Sequence, residues 1–331
     1  MLHFRPFRNT NPPALAAFWR GRIGERGFLQ PVSVDVFEQY VFAKTYFDPR
    51  GLILAWDDDR LVGFAHAGFG PNPDGSRLDH KTGVVCVLAV RADALAAPAT
   101  NSPAAAADAA TVADGLLDRC EAYLKARGAA VLFGGASAPN VPFYFGLYGG
   151  CEPVGVPATD AVAADVYARR GYQPAMRTVL LRCRLEGFRA VVDRRQAELR
   201  RRMFVHTIVD PPSHSWWEAC VGGDFDRTRF EVSARGHSES LARVTFRAMD
   251  LTEPGLPGRV GGVLDLFVDS AQRRQGLATF LLGEAFRALG EQGVSVVEVA
   301  ATADNAPAMA LLEKLQFAPV AEGIVYRKSL G

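Results

Sequence analysis

Asp269 to Leu282 read DSAQRRQGLATFLL, a basic turn with one glycine, pressed between an apolar strand and an amphipathic run. A turn that joins the carboxyl end of a strand to the amino end of a helix collects unpaired N–H groups at the positive end of the helix dipole. Gly276 lets a ligand approach the backbone closely, and Arg273 and Arg274 add charge-assisted hydrogen bonds. The chemistry points to a phosphate or pyrophosphate. The stretch contains neither G-x-x-x-x-G-K-[ST] nor G-x-G-x-x-G, so the two common nucleotide loops are excluded.

Working outward, the turn belongs to a pattern that occurs twice. GLILAWDDDRLVGFAHAG (51–68) and RFEVSARGHSESLARVTFRA (229–248) both read as hairpins. The strands that follow, GVVCVLAV and GVLDLFV, end at Val90 and Val268, keeping the hairpins' spacing. In the first half an Ala/Pro-rich insert, RADALAAPATNSPAAAADAA, precedes the helix TVADGLLDRCEAYLKARG. In the second half SAQRRQG leads at once into LATFLLGEAFRALGEQG. Each helix is followed by an apolar strand (129–135 and 294–302), an Asn-x-Pro (Asn140-Val141-Pro142 and Asn305-Ala306-Pro307), a further helix and a closing aromatic, Tyr172 or Phe317. Helical runs precede each hairpin, including RAVVDRRQAELRRRMF and a short SHSWWEACV. The first half alone carries FYFGLYGGCEPVGVP, a loop or lid candidate. The seam falls at Glu186-Gly187-Phe188, and the strand RTVLLRCRL (177–185) can close one half or open the other.

Arg273-Arg274-Gln275-Gly276-Leu277-Ala278 resembles the Q/R-x-x-G-x-G/A signature of the GCN5-related N-acetyltransferases, the GNAT superfamily. A-x-x-L-L-E-K-L-Q-F (308–317) resembles the same family's terminal helix. The likeness covers almost all of the second half, and the repeat extends it to a tandem arrangement. The resemblance implies an α/β (mixed α+β) fold of two tandem GNAT domains, each a mixed, mostly antiparallel sheet flanked by helices. Residues 1–186 would be a degenerate copy and 187–331 the domain with the acetyl-CoA site. It implies an acetyl-CoA-dependent N-acetyltransferase, with acetyl-CoA as co-substrate and a primary amine as acceptor attacking directly in a ternary complex. Arg273, Arg274, Gln275, Gly276, Leu277, Ala278 and Thr279 would hold the pyrophosphate. Leu266, Phe267 and Val268 would hold pantetheine, Asn305 would sit near the thiol arm, and a backbone N–H near Val268 would stabilise the oxyanion.

The pattern departs from the family in places. Leu312 stands where members often carry the tyrosine that protonates the leaving thiolate, and Gln316 replaces a glycine. A non-catalytic CoA-binding sensor is therefore the competing reading. In the first half Tyr167 and Gly171 keep those two positions, but the pyrophosphate turn has become the insert. That half is expected not to bind CoA, though its cleft can contribute substrate contacts. Attack by an amine needs a proton acceptor near pH 7. Asp265, on the CoA strand, and Glu298, a carboxylate among apolar neighbours in VSVVEVAAT, are the candidate bases, each with a cross-strand ion pair as its alternative. Tyr326, in the final strand, is the candidate acid.

The rest of the chain excludes more than it assigns. Lys plus Arg (37) nearly balances Asp plus Glu (36) over 331 residues, so no nucleic acid is indicated as partner. No stretch approaches a membrane span and the start lacks a signal-peptide core, so no membrane partner and a cytoplasmic location are expected. Five cysteines without a C-x-x-C pair read as reduced, and six histidines without ligand spacing suggest no metal. The expected partner is a small-molecule or peptide amine acceptor, and a homodimer is compatible with the sequence.

Overall fold

The computed structural model describes residues 1–22, 28, 32–91, 103–145, 147, 151–249, 256 and 258–330. The first half opens with β1 (Leu2–Pro6), α1 (Pro12–Arg20) and α2 (Val34–Phe37), the last continued by a wide helical turn over Glu38–Phe42. The hairpin β2 (Leu52–Asp57) and β3 (Arg60–Pro71) follows, then β4 (Leu78–Val90), α3 (Pro103–Ala126), β5 (Val131–Gly134), the two-residue β6 (Val156–Pro157), α4 (Ala161–Arg169) and β7 (Gln173–Arg184). The second half repeats the order with α5 (Arg194–Arg202), β8 (Met203–Val209), α6 (Trp216–Gly222), β9 (Arg227–Ala234) and β10 (Ala242–Met249). It closes with β11 (Arg259–Val268), α7 (Leu277–Glu291), β12 (Val294–Thr302), α8 (Ala306–Lys314) and β13 (Ala318–Ser329).

One mixed, mostly antiparallel sheet runs through the molecule in the order β1-β2-β3-β4-β5-β13-β7-β12-β11-β10-β9-β8. Its centre settles how RTVLLRCRL is used. β7, which ends the first half, lies between β12 and β13, while β13, which ends the second, lies between β5 and β7. Each half therefore completes the other's sheet. A separate core joins them where Cys151 and Val154 meet Leu180, Met249, Val260 and Val296.

Helices cover the sheet through faces that their spacing dictates. In α7, Leu277, Phe280, Leu281, Phe286 and Leu289 recur at helical intervals and are buried with Val244, Phe246 and Val297. Three expectations shift. The run RAVVDRRQAELRRRMF is helical only over Arg194–Arg202, where Asp193 caps it by accepting from the Gln196 N–H at 2.7 Å; Met203 onward is strand β8. Residues 92–102 of the insert lie outside the described residues, and its remainder is already helix, because alanine is the strongest helix former. Of the lid candidate, residues 146 and 148–150 lie outside the described residues. Phe143, Tyr144, Phe145 and Leu147 are buried in the first half's core.

Candidate active site

β11 and β12 run parallel but pair only from Arg259–Gly262 against Val294–Glu298, and beyond that they diverge. On its other edge β11 stays joined to β10, with Asp265 opposite Thr245 and Val263 opposite Phe246, so Leu264 is the extra residue of a bulge. Past it, the Asp269 N–H donates to the Leu241 C=O at 2.9 Å, which makes Val268 and Ala242 a non-hydrogen-bonded pair. The main-chain groups of Val268, and of Leu266 two residues earlier, therefore face away from β10 into the opening.

The basic turn sits at the mouth of that opening. Asp269 starts it by accepting from the Ala271 N–H at 2.9 Å. Arg274 and Gly276 both adopt left-handed backbone, with φ of 63° and 82°. At Gly276 a Cβ would stand 2.9 Å from Arg195 Cδ and 3.0 Å from Gln196 Nε2, so α5 presses on the turn from behind. It also ties the turn down: Gln196 Nε2 donates to the Gly276 C=O at 3.2 Å, and Arg195 Nη1 to the Arg274 C=O at 3.3 Å. The first bond within α7 runs from Phe280 N–H to the Gly276 C=O at 3.0 Å, which leaves the N–H groups of Leu277, Ala278 and Thr279 unused by the helix.

These parts line a groove of about 660 Å³, with Pro307 and Lys314 on the opposite bank. Every residue assigned to binding from sequence lines it except Gln275, whose Nε2 turns back to the Ala271 C=O at 3.0 Å. Leu266 and Asn305 also wall an adjoining cavity of about 290 Å³ between the diverging strands, with Leu312 and Phe317 at its base. Asn305 is held there as the cap of α8, its Oδ1 accepting from the Ala308 N–H at 3.2 Å. A third cavity, of about 330 Å³, adjoins the second through Glu152, Leu264 and Asp265 and extends between the two halves to Val141, Phe145 and Trp217.

The three candidate acid and base residues part ways. Asp265 lines the second and third cavities, its Oδ2 3.3 Å from Arg243 Nε, so the ion-pair alternative is realised at the cleft itself. Glu298 is fully buried, opposite Arg182 across the β7–β12 ladder and 2.6 Å from its Nη2. Burial pushes its carboxyl above the usual range, against the downward pull of Arg182. Tyr326 is placed elsewhere: strand exchange carries it opposite Gly134 of β5, where it stacks on Tyr167 at 5.4 Å inside the first half's core.

The Glu298–Arg182 pair makes a stability prediction. Arg182→Met leaves a buried carboxylate without its counter-charge, an expected loss of about 3–5 kcal/mol at neutral pH. Because the folded-state pKa of Glu298 is raised, that loss shrinks as pH falls toward the ordinary glutamate value and the group protonates. Urea unfolding of Arg182→Met at pH 5 and pH 8 reads both; a deficit independent of pH contradicts it.

Sequence reasoning missed Glu152. It sits in the stretch read as a loop or lid, and nothing local marks it; only the fold brings it against β11. Its carboxyl is half-buried between two cavities, and burial pushes it up to about 7, partly offset by Arg247. The SHSWWEACV segment yields α6, whose Trp217 lines the third cavity and stacks on Tyr46 at 5.4 Å, combining wall and packing roles.

The first half repeats the splay without the space. β4 and β5 pair only over Thr82–Val85 and Val131–Gly134, with Cys86 the extra residue of the matching bulge. Tyr167, 1% exposed, fills the opening with Val156 and Ala163, and the remaining cavity is about 30 Å³. Among the described residues no group of three or more His, Cys, Asp or Glu could hold a metal ion, and no helix is long and apolar enough to cross a membrane.

Comparison with known proteins bears on both halves. Residues 197–317 match the family model of the acetyltransferase (GNAT) family. No curated protein sequence matches the chain significantly. Among solved structures, a tandem GNAT protein from the clavulanic acid biosynthesis pathway is similar over 100% of this chain and 99% of its own, at 15% identity and a TM-score of 0.63. A GCN5-related N-acetyltransferase from Sphaerobacter thermophilus is similar over 99% and 95%, at 14% identity and a TM-score of 0.62. The glucosamine N-acetyltransferase region of a fungal multi-domain GH3 β-N-acetylglucosaminidase covers 99% of this chain with 38% of its own, at 15% identity and a TM-score of 0.70. The splayed strands, the glycine turn and the family match converge: residues 197–317 match the model of the GNAT acetyltransferase family, and the chain as a whole has the fold of the tandem GNAT proteins.

Proposed function

We propose that the second half binds acetyl-CoA and transfers its acetyl group to a primary amine, by direct attack while both substrates are bound. The observation that carries this reading is the groove of about 660 Å³ that runs from the amino end of α7 along the outward-facing main chain of β11 and adjoins a cavity between the diverging strands. In this reading Arg273, Arg274 and the amides through Thr279 take the pyrophosphate, and Leu266 to Val268 pair with pantetheine as a neighbouring strand would. Gln275 contributes its backbone N–H, its side chain being engaged within the turn. The thioester then lies near Asn305, where the main chain of Val268 can donate to the oxyanion.

The second reading, a CoA sensor without turnover, is favoured by Leu312, a buried apolar side chain where a proton donor is common in the family. Incubating the purified chain with acetyl-CoA and a broad panel of primary amines separates the two. Release of free thiol that depends on an amine supports transfer. A thermal shift with CoA and no thiol release with any amine supports the sensor. No shift and no release overturns both.

A further inference from the structure

Resting on the reading of acetyl transfer, we propose that the third cavity is the acceptor site, that it takes a small primary amine with an apolar, ring-sized body, and that Glu152 from the first half is the base that removes the ammonium proton.

The cavity's composition sets the substrate class. Val141 and Phe145 from the first half face Trp217, Val221 and Leu264 from the second, so most of an acceptor's surface would meet apolar or aromatic walls. Its charged side chains are mostly satisfied by one another. Arg227 donates to Glu218 at 3.0 Å and to the Pro211 C=O at 2.9 Å, Glu218 also accepts from the His214 N–H at 2.7 Å, and Arg243 holds Asp265. Among the described residues no hydrogen bond or ion pair engages the Glu152 carboxylate. A cavity with one uncommitted carboxylate and apolar walls fits a single ammonium on an apolar carrier better than a sugar or a polyamine.

Position sets the role. Glu152 and Asp265 stand on the wall between the acceptor cavity and the one where the thioester is placed. Of the two, Asp265 is ion-paired with Arg243, whereas Glu152 feels Arg247 only as a nearby charge. Its backbone is fixed by Arg247, which donates to the Cys151 C=O from Nη2 at 2.9 Å and from Nε at 3.3 Å. Arg247 is itself buried, with its guanidinium 5.0 Å from the Phe145 ring and 4.7 Å from that of Phe225. The second half thus holds in place a carboxylate lent by the first.

In the reaction the ammonium gives one proton to Glu152, and the freed nitrogen lone pair attacks the acetyl carbon. The carbon–sulfur bond breaks as the tetrahedral intermediate collapses, the second nitrogen proton leaves with the CoA thiolate, and Glu152 returns its proton to water. Amide and free CoA are the products, and no other reactant is needed. A carboxyl held near 7 accepts a proton under physiological conditions. The charges facing it are Arg247 and Arg243 on β10, Asp265 on β11, Arg227 on β9, and Glu218 with His214 at α6; Glu298 on β12 is already paired with Arg182.

The test compares the whole chain with Glu152→Gln, using phenethylamine, glucosamine and spermidine as acceptors and calorimetric acetyl-CoA binding as the control for folding. The wild-type kcat/KM should rise with pH through about 7 and favour phenethylamine at least tenfold. Glu152→Gln should bind acetyl-CoA within twofold of wild type, lose at least about 100-fold in kcat, and lose that rise with pH. Wild-type turnover with Glu152→Gln unchanged overturns the base while leaving acetyl transfer standing. A preference for glucosamine or spermidine overturns the substrate class. Failure of the wild-type chain to bind acetyl-CoA overturns the underlying functional reading instead.

Discussion

Gly276→Glu is expected to raise the dissociation constant for acetyl-CoA at least about 100-fold, close to 3 kcal/mol at 1.4 kcal/mol per tenfold. Three effects act together. Gly276 adopts φ 82°, which a side chain resists, and its Cβ would press on Arg195 and Gln196 behind the turn. The new carboxylate also stands where the pyrophosphate is proposed to lie, against the unused N–H groups that open α7. Calorimetric titration reads the affinity. Melting of the apo protein separates a lost site from a lost fold, because the turn is exposed while the core of α7 is not. An affinity within threefold of wild type contradicts the site assignment.

Residues 187–331 expressed alone are expected not to give a stable monomer. Removing the first half strips β7 from β12, and strips both β5 and β7 from β13. The fragment would carry a bare edge on β12 and a β13 unpaired on both sides, and it would expose Val260, Met249 and Val296, now packed against Cys151, Val154 and Leu180. Bare edges of this kind pair with other chains. Size-exclusion chromatography and thermal melting of the fragment check the expectation. A monomer that melts within a few degrees of the whole chain would show that strand exchange contributes little.

How far sequence reaches follows from which contacts are local. The hairpins around Asp57–Asp59 and Gly236, the strand ending at Val268 and the helix from Leu277 carry their own periodicity and turn chemistry, and all are present. The outer strands β1 and β8 are not legible that way. They lie at the two edges of the sheet, and β8 follows Arg200-Arg201-Arg202 with no glycine or proline to announce the change. The exchange of β7 and β13 leaves no local mark, since either partner offers the same ladder to an apolar strand. That same exchange explains Tyr326. Counting along the second half puts it in that half's last strand, but the strand is lent to the first half's core. Glu152 is the converse case, a residue of the first half delivered to the second by contacts that no spacing rule encodes.

The α7 end of the site was legible because a glycine, two arginines and a helix start are contiguous in sequence. The proposed acceptor end was not, because that cavity assembles from residues near 140, 152, 217, 243 and 265. Arg247 illustrates the difference. As one of two arginines in the alternating strand ARVTFRAM, it gives no sign that it will be buried between two phenylalanine rings while holding the Cys151 carbonyl.

A crystal structure with acetyl-CoA tests the central claim most directly. The expected result is one molecule per chain, with its pyrophosphate on the backbone from Arg274 to Thr279, pantetheine along Leu266 to Val268, and the acetyl carbon between Asn305 and Glu152. A molecule in the β4–β5 opening of the first half, or a pyrophosphate away from the α7 turn, would contradict it.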